Sequence, residues 1–317
     1  MAKLSHRALA FALIGALALV PAAASVLNDP FLLSLFSRVA IYAIAAVGLD
    51  LIVGLGGMVS FGHAAFVGIG GYAVAILAHH LGAADVPALL AWPVAVLAAA
   101  VAGLLIGIVS LRTDGVYFIM ITLAFAQMLF YLVNTLTDYG GQDGMRLIRR
   151  NTLPGLSARD DMVFYYVCLA LLAGLLYLAH RLAASRFGMV IRGCRQNLRR
   201  MNALGFYTLR YRLVAFVLAA ATGGLAGALL ANQSQYASPS LLHWTLSGEL
   251  LVMVILGGMG TLVGPVLGAA AFVLLESTLS ALTEHWMLFL GPFLVAIVLF
   301  GRRGLYGLMV KGAGDER

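Results

Sequence analysis

The side chains in this sequence that could do chemistry are the few polar ones within or beside long apolar runs. These acids, imidazoles, hydroxyls and one amide are Asp50, Ser60, His63, Thr122, Gln127, His243, Glu249 and Glu276. A polar group inside a bilayer costs free energy, so such residues usually serve a substrate or ion pathway or pair with one another. A proton relay would need acids and histidines at matched depths, whereas the three acids fall near predicted helix ends or turns. Hydrogen bonding between helices is therefore the safer interpretation of the acids.

Ser60 and His63 are better candidates for touching a substrate, because they lie beside exposed glycine backbone, although a buried histidine satisfied by hydrogen bonds is more common than one that binds a ligand. Two similar glycine-containing stretches, Leu55–Met58 and Leu256–Met259, each follow an acid at a short distance. Glycine-interrupted apolar segments at corresponding places in two halves point to a transport site at mid-membrane. Tight cytoplasmic turns between helices are the alternative for both stretches. The predicted substrate pathway comprises Gly56, Gly57, Ser60, His63, Thr122, Gln127, Gly257 and Gly258.

The sequence contains no constellation typical of catalysis or of cofactor binding. Its histidines are scattered, and Cys168 and Cys194 form no disulfide framework. A nucleotide-binding P-loop requires GxxxxGK[ST], and neither lysine, Lys3 or Lys311, lies in such a context. We therefore expect no enzyme activity, no cofactor and no metal site. If a nucleotide drives this protein, another subunit must hydrolyse it.

Composition identifies the class of protein that must position these residues. Hydrophobic residues make up 62% and charged residues 10% of the 317, whereas soluble domains average about 25% charged residues. Spanning a bilayer takes about 20 apolar residues, which predicts an all-α polytopic membrane protein of about ten helices. The ten predicted segments are Ala8–Leu27, Phe31–Gly54, Met58–His79, Val86–Ser110, Val116–Leu136, Met162–Ala183, Leu213–Asn232, Leu241–Leu256, Leu262–Leu282 and Trp286–Phe300. The first could pass for a cleavable signal peptide, but we interpret it as an uncleaved helix.

The orientation follows from the basic connections, because Lys and Arg stay on the cytoplasmic side. The connection 186–212 carries seven arginines and no acid. With ten helices and a cytoplasmic N-terminus, that connection, Arg112 and the basic C-terminus all fall inside, whereas the neutral connection Thr137–Asp161 falls outside. The net charge of +7 reflects this bias and does not indicate nucleic-acid binding. We predict one transmembrane domain over 1–317, with both termini and the loop 186–212 in the cytoplasm.

The basic loop has a helical pattern of its own. Ile191, Cys194, Leu198 and Met201 recur at helical spacing on one stripe, and arginines occupy a neighbouring stripe. This predicts a short amphipathic helix outside the bilayer, ending near Gly205. Such a helix either lies on anionic lipid or docks onto a partner protein.

Four blocks of sequence resemble the LivM-type permeases, the membrane subunits of bacterial branched-chain amino acid ABC importers. Gly48–Tyr72 contains GLGGMVSFGHAAFVGIGGY, and Leu111–Gln127 reads LRTDGVYFIMITLAFAQ. Gly140–Gly144 reads GGQDG, and Leu256–Gly268 reads LGGMGTLVGPVLG. The four blocks occur in the family's order, which makes the combination specific.

The resemblance implies an ABC importer permease in the bacterial inner membrane. Its expected partners are a homologous second permease, two cytoplasmic ATPase subunits and a periplasmic binding protein. It implies import of branched-chain amino acids, or of a related solute such as urea, short amides or aromatic acids. An ion-coupled secondary transporter, which would need an indispensable membrane acid and no ATPase, is the alternative.

The resemblance also assigns the basic loop the role of a coupling helix, from Gly188 to Gly205. The residues expected to contact the ATPase are Arg192, Arg195, Leu198, Arg199, Met201, Ala203 and Gly205. Family members commonly carry an acid in this helix, whereas this chain has Gln196 and Asn197 followed by two arginines. The docking contacts are therefore expected to differ in detail.

Overall fold

The computed structural model describes residues 6–21, 24, 30–82, 86–152, 160–283, 285, 288, 291–292 and 304–309. The described residues are mostly helical, as predicted. The helices are α1 (His6–Ala18), α2 (Pro30–Asp50), α3 (His63–Leu81), α4 (Ala88–Ser110), α5 (Val116–Thr135), α6 (Asp161–Ala184), α7 (Arg186–Gln196), α8 (Leu198–Ala203), α9 (Thr208–Ser234), α10 (Trp244–Gly257), α11 (Gly264–Leu282) and α12 (Gly304–Met309). A π-helical turn, Leu51–Leu55, continues α2.

Seven of the described helices are long and apolar enough to cross a membrane: α2 with its π-turn, α3, α4, α5, α6, α9 and α11. They correspond to seven of the ten predicted segments. The first predicted segment is represented by the 13-residue α1. The predicted segment Trp286–Phe300 and the basic C-terminus lie largely outside the described residues. One predicted boundary is wrong: α3 starts at His63 rather than near Met58, because Gly56–Gly62 forms a non-helical connection.

The eighth predicted segment, Leu241–Leu256, forms a helix that is too short to span. At about 1.5 Å per residue, the 14 residues of α10 cover about 21 Å of a hydrocarbon core about 30 Å thick. The chain before it forms a 3₁₀ turn, Pro239–Leu242, that packs against α3. Leu242 is buried against Gly68 of α3. Helix α10 begins directly after this turn, at the exposed Trp244.

Helix α9 lies at the centre, against α2, α3 and α4, and α2 packs further against α6 and α11. Close approach in this centre depends on glycine. A Cβ at Gly227 of α9 would collide with the Val67 carbonyl of α3, and one at Gly70 would collide with Gly224. Small residues of this kind let membrane helices pack backbone to backbone.

The connections between the spans gather at two ends of the molecule. At one end, strand β1 (Met145–Arg146) pairs antiparallel with strand β2 (Tyr236–Ala237). At the opposite end, which we call the inner end, lie the basic connection 186–212 and the glycine turns that follow α2 and α10. The connections that the charge pattern assigns to one side of the membrane thus lie together.

Candidate functional site

The site forms at the inner end, where α2 finishes. The Asp50 carboxylate accepts hydrogen bonds from the backbone N–H groups of Gly260, at 2.7 Å, and Leu262, at 3.4 Å. Asp50 is fully buried. Both of its partners, Gly260 and Leu262, lie in the turn after α10 and have positive φ. A Cβ at Gly54 would collide with both Asp50 and Gly260. Asp50 therefore joins the two glycine turns, in agreement with the structural role predicted for the acids.

The two glycine pairs lie in tight turns at the inner end. Gly57 has φ of 67° and faces the side chain of Arg195 in α7. Gly257 is packed against Gly264 at the start of α11, and Gly258 has φ of 115°. This placement supports the second of the two sequence interpretations, turns between helices, over a break at mid-membrane.

Two of the predicted pathway side chains contact Gly62, and a third, His63, follows it in the chain. The Ser60 hydroxyl accepts the Gly62 N–H at 3.2 Å, and Gly62 packs directly on Thr122 of α5. His63 opens α3, is fully buried, and stacks edge-to-face on Phe66 at 5.9 Å. Within the described part of the chain, its two ring nitrogens have no hydrogen-bond partner.

Gln127 lies five residues beyond Thr122 on α5 and is half-buried. Five residues correspond to about 140° around a helix, so its side chain leaves on another face. The structure therefore brings Ser60 and Thr122 together at Gly62, whereas the His63 ring packs beside Phe66 and Gly223 and Gln127 lies apart. Their contact with a substrate stays a prediction.

The basic loop forms two helices where one was predicted. Asn197 takes an extended conformation, with φ of −159° and ψ of 102°, between α7 and α8. Its side chain accepts the Arg200 N–H at 2.9 Å and so caps the second helix. The predicted apolar stripe does face inward: Ile191 and Cys194 are buried, and the two residues that continue it into α8 are half-buried. The prediction of a single helix is therefore wrong, because the Asn197 cap starts a new helix instead of continuing the first.

Two of the arginines predicted to contact an ATPase are used within the chain. Arg192 donates to the Ala183 carbonyl at 2.6 Å, at the C-terminal end of α6. Arg195 donates to the Gly54 carbonyl in the π-turn after α2. Helix C-termini leave carbonyl groups unsatisfied, which basic side chains can cap. These two arginines hold α7 against the spans.

The remaining predicted docking residues divide by exposure. Leu198 and Met201 are half-buried, whereas Arg199, Ala203 and Gly205 are exposed. Four large apolar side chains of the same connection, which were not predicted as docking residues, are also exposed: Met189, Leu204, Phe206 and Tyr207. Their only signal in the sequence is a run of apolar residues too short to span.

An ion pair at the inner end, between a largely buried arginine and an exposed acid, was not predicted from the sequence. The Arg212 side chain, 9% exposed, pairs with Asp114 at 2.8 Å and donates to the Met58 sulfur at 3.3 Å. It joins the start of α9 to the α4–α5 connection. The sequence indicates this pair only by placing one acid, Asp114, in the short basic connection between α4 and α5.

A second ion pair lies between spans. Arg38 of α2 binds Glu276 of α11 at 3.0 Å, with its guanidinium over the Tyr42 ring. Together with the backbone bonds of Asp50, this gives two of the three membrane acids structural partners. No cluster of three metal-ligating side chains occurs within the described residues.

Comparisons with known proteins agree with this picture. Residues 31–298 match the family model "Branched-chain amino acid transport system / permease component". The chain is 32% identical over 289 residues to the high-affinity branched-chain amino acid transport system permease protein LivM of Escherichia coli (strain K12). The LivM protein of Salmonella typhimurium shows the same identity. Each alignment covers 84% of this chain and 67% of the relative. No solved structure matches the chain.

Proposed function

The chain belongs to the branched-chain amino acid transport permease family, and on that premise we propose that it is the permease subunit of an ABC importer for branched-chain amino acids. Proteins of this family are multi-pass transport subunits and not enzymes. In our proposal the whole of 1–317 is one permease domain in the bacterial inner membrane. It works with a homologous second permease, two cytoplasmic ATPase subunits and a periplasmic binding protein.

One observation carries the proposed mechanism: the α7–α8 pair is anchored to several spans on one side and exposed on the other. Arg195 attaches it to the end of α2, and Arg192 attaches it to the end of α6. Its other face presents Arg199, Ala203 and Leu204. A protein that pushed on this face would displace the inner ends of two spans together.

Transport then follows as alternating access. A ligand changes a conformational equilibrium only if it binds the two states with different affinity. ATP supplies that difference when it binds the partner ATPases, which displace the α7–α8 pair. The spans tilt, and the amino acid released by the binding protein passes along a pathway. We propose that this pathway includes Ser60, His63, Thr122 and Gln127 and reaches the two glycine pairs at the inner end.

The test is uptake of labelled leucine by liposomes that contain the two permeases and the two ATPase subunits. We expect uptake to require ATP inside the liposomes and the binding protein outside. The ion-coupled alternative makes the opposite prediction, namely uptake by this chain alone under an ion gradient without ATP. That result would overturn the proposal.

A further inference from the structure

A cleft separates the α7–α8 pair from the inner ends of the spans. Its volume is about 370 Å³, within the range of about 300–1,000 Å³ that is usual for small-molecule sites. Six of its lining residues determine its chemistry: Met58, Asp114, Phe118, Ile119, Arg195 and Leu198.

The charged residues that line the cleft are one acid, Asp114, and two arginines, Arg195 and Arg212. Asp114 gives one carboxylate oxygen to Arg212, which is nearly buried, and its side chain remains 64% exposed. Arg195 uses one guanidinium nitrogen for the Gly54 carbonyl and is otherwise exposed. Asp114 thus offers an acceptor for a cation, and Arg195 offers donors for a carboxylate.

The remaining wall is apolar. Phe118 and Ile119 of α5 line the cleft, together with Leu198 of α8. A purely anionic ligand such as a phosphate would meet the Asp114 carboxylate at this site. A molecule that carries an ammonium, a carboxylate and a short apolar group matches all three kinds of surface.

We propose that this cleft is a cytoplasmic binding site for a free amino acid with a branched apolar side chain. The carboxylate binds Arg195, the ammonium binds Asp114, and the side chain packs on Phe118 and Ile119. The identity of the ligand rests on the proposed function, since the transported solute is the amino acid that accumulates on this side.

The position of the cleft gives binding a consequence. The ligand lies between α5 and the α7–α8 pair, beside the bond that Arg195 makes with the Gly54 carbonyl. Occupancy holds these elements in the arrangement described here and opposes their displacement by the ATPases. Accumulated amino acid therefore inhibits its own import.

Cys194 lines the cleft and serves as a reporter of occupancy. The chain has one other cysteine, Cys168, which is fully buried. The test measures the rate at which N-ethylmaleimide alkylates Cys194 in the purified ATP-free importer complex, with and without L-leucine. At ten times the dissociation constant we expect about a tenfold slower rate, because about a tenth of the sites stay open.

Two analogues test the recognition of both charges. 4-Methylpentanoate has no ammonium group and isoamylamine has no carboxylate, so neither should protect Cys194 at the concentration at which leucine does. A second readout is ATP-driven uptake into liposomes preloaded with leucine, which should be slower than into empty ones. Equal protection by both analogues would overturn the assignment of the two charges.

Variants of the lining separate binding in the cleft from general effects. Ile119→Trp fills the cleft and should abolish inhibition by preloaded leucine, whereas Met120→Trp places the same side chain on a residue that is 60% exposed outside it. Asp114→Asn should abolish protection, whereas Asp138→Asn at the opposite end should retain it.

If the importer takes up leucine but neither alkylation nor uptake responds to leucine inside, the cleft proposal fails alone. If ATP drives no leucine uptake at all, the proposed function fails with it.

Discussion

Asp50 shows how one buried carboxylate can organise a site without doing chemistry. Both of its oxygens accept backbone N–H groups from a turn 210 residues further along the chain. A buried donor left without its acceptor costs about 1–3 kcal/mol. The turn it holds contains Leu262 at φ of 59°, a conformation that needs support from its surroundings.

We predict that Asp50→Asn lowers the free energy of unfolding by about 1–3 kcal/mol, because the amide cannot accept both N–H groups. Thermal unfolding of the purified protein in detergent measures this. Asp143→Asn, at an exposed carboxylate of the opposite end, is the control and should change little. A stable Asp50→Asn protein that cannot transport would instead indicate the proton-coupled alternative.

Cys194 gives a prediction about pH. Burial raises the pKa of the Cys194 thiol, and the nearby Arg212 guanidinium opposes that rise. The thiolate is the reactive form, so a raised pKa leaves less thiolate at a given pH. The alkylation rate of Cys194 should therefore reach half its maximum at a higher pH than that of free cysteine. A midpoint below that of free cysteine would show that the charge of Arg212 outweighs burial.

At the scale of elements, the turn after α2 and the helix α7 act as one unit. Gly57 makes this possible, since its positive φ bends the chain and its missing side chain leaves room for Arg195. The extended backbone of Asn197 ends α7 and lets α8 begin in a different direction.

We predict that Gly57→Ala slows ATP-driven uptake several-fold by displacing Arg195 from the Gly54 carbonyl. The matched control is Gly82→Ala, which also has positive φ but has open space where a Cβ would lie. Both variants should lose about 1–2 kcal/mol from the left-handed backbone conformation alone. Equal uptake by the two variants would show that the contact with Arg195 does not carry the coupling.

At the scale of the whole molecule, the basic connection and the two strands lie at opposite ends of the bundle. The hydrogen bonds and ion pairs of the basic connection bind it to the ends of α2, α4 and α6, away from strands β1 and β2. In the proposed mechanism, a push on this connection therefore moves several spans at once.

We predict that an impermeant thiol reagent applied to spheroplasts labels Ile148→Cys and leaves Cys194 unlabelled. Ile148 is 80% exposed at the end that carries the strands. Inside-out vesicles should give the reverse pattern, with Cys194 labelled slowly because it is largely buried. Labelling of Cys194 in spheroplasts would overturn the orientation.

The sequence by itself determined the class, seven of the spans and the grouping of the connections. These depend on local composition: about 20 apolar residues span a bilayer wherever they pack, and arginine resists translocation in any fold. The apolar stripe of Ile191 and Cys194 was predictable for the same reason, since helical spacing needs no distant partner.

Only the tertiary structure decided which polar groups meet. Asp50 binds Gly260, Arg38 binds Glu276, and each pair joins residues more than 200 positions apart. Helix α10 is short because Leu242 packs into the space above Gly68, which no local pattern reveals. Arg195 likewise looks like a docking residue in the sequence, and only its distant partner, the Gly54 carbonyl, shows that it holds α7 to the end of α2. Long-range pairing depends on how helices pack, and packing is a property of the assembled chain.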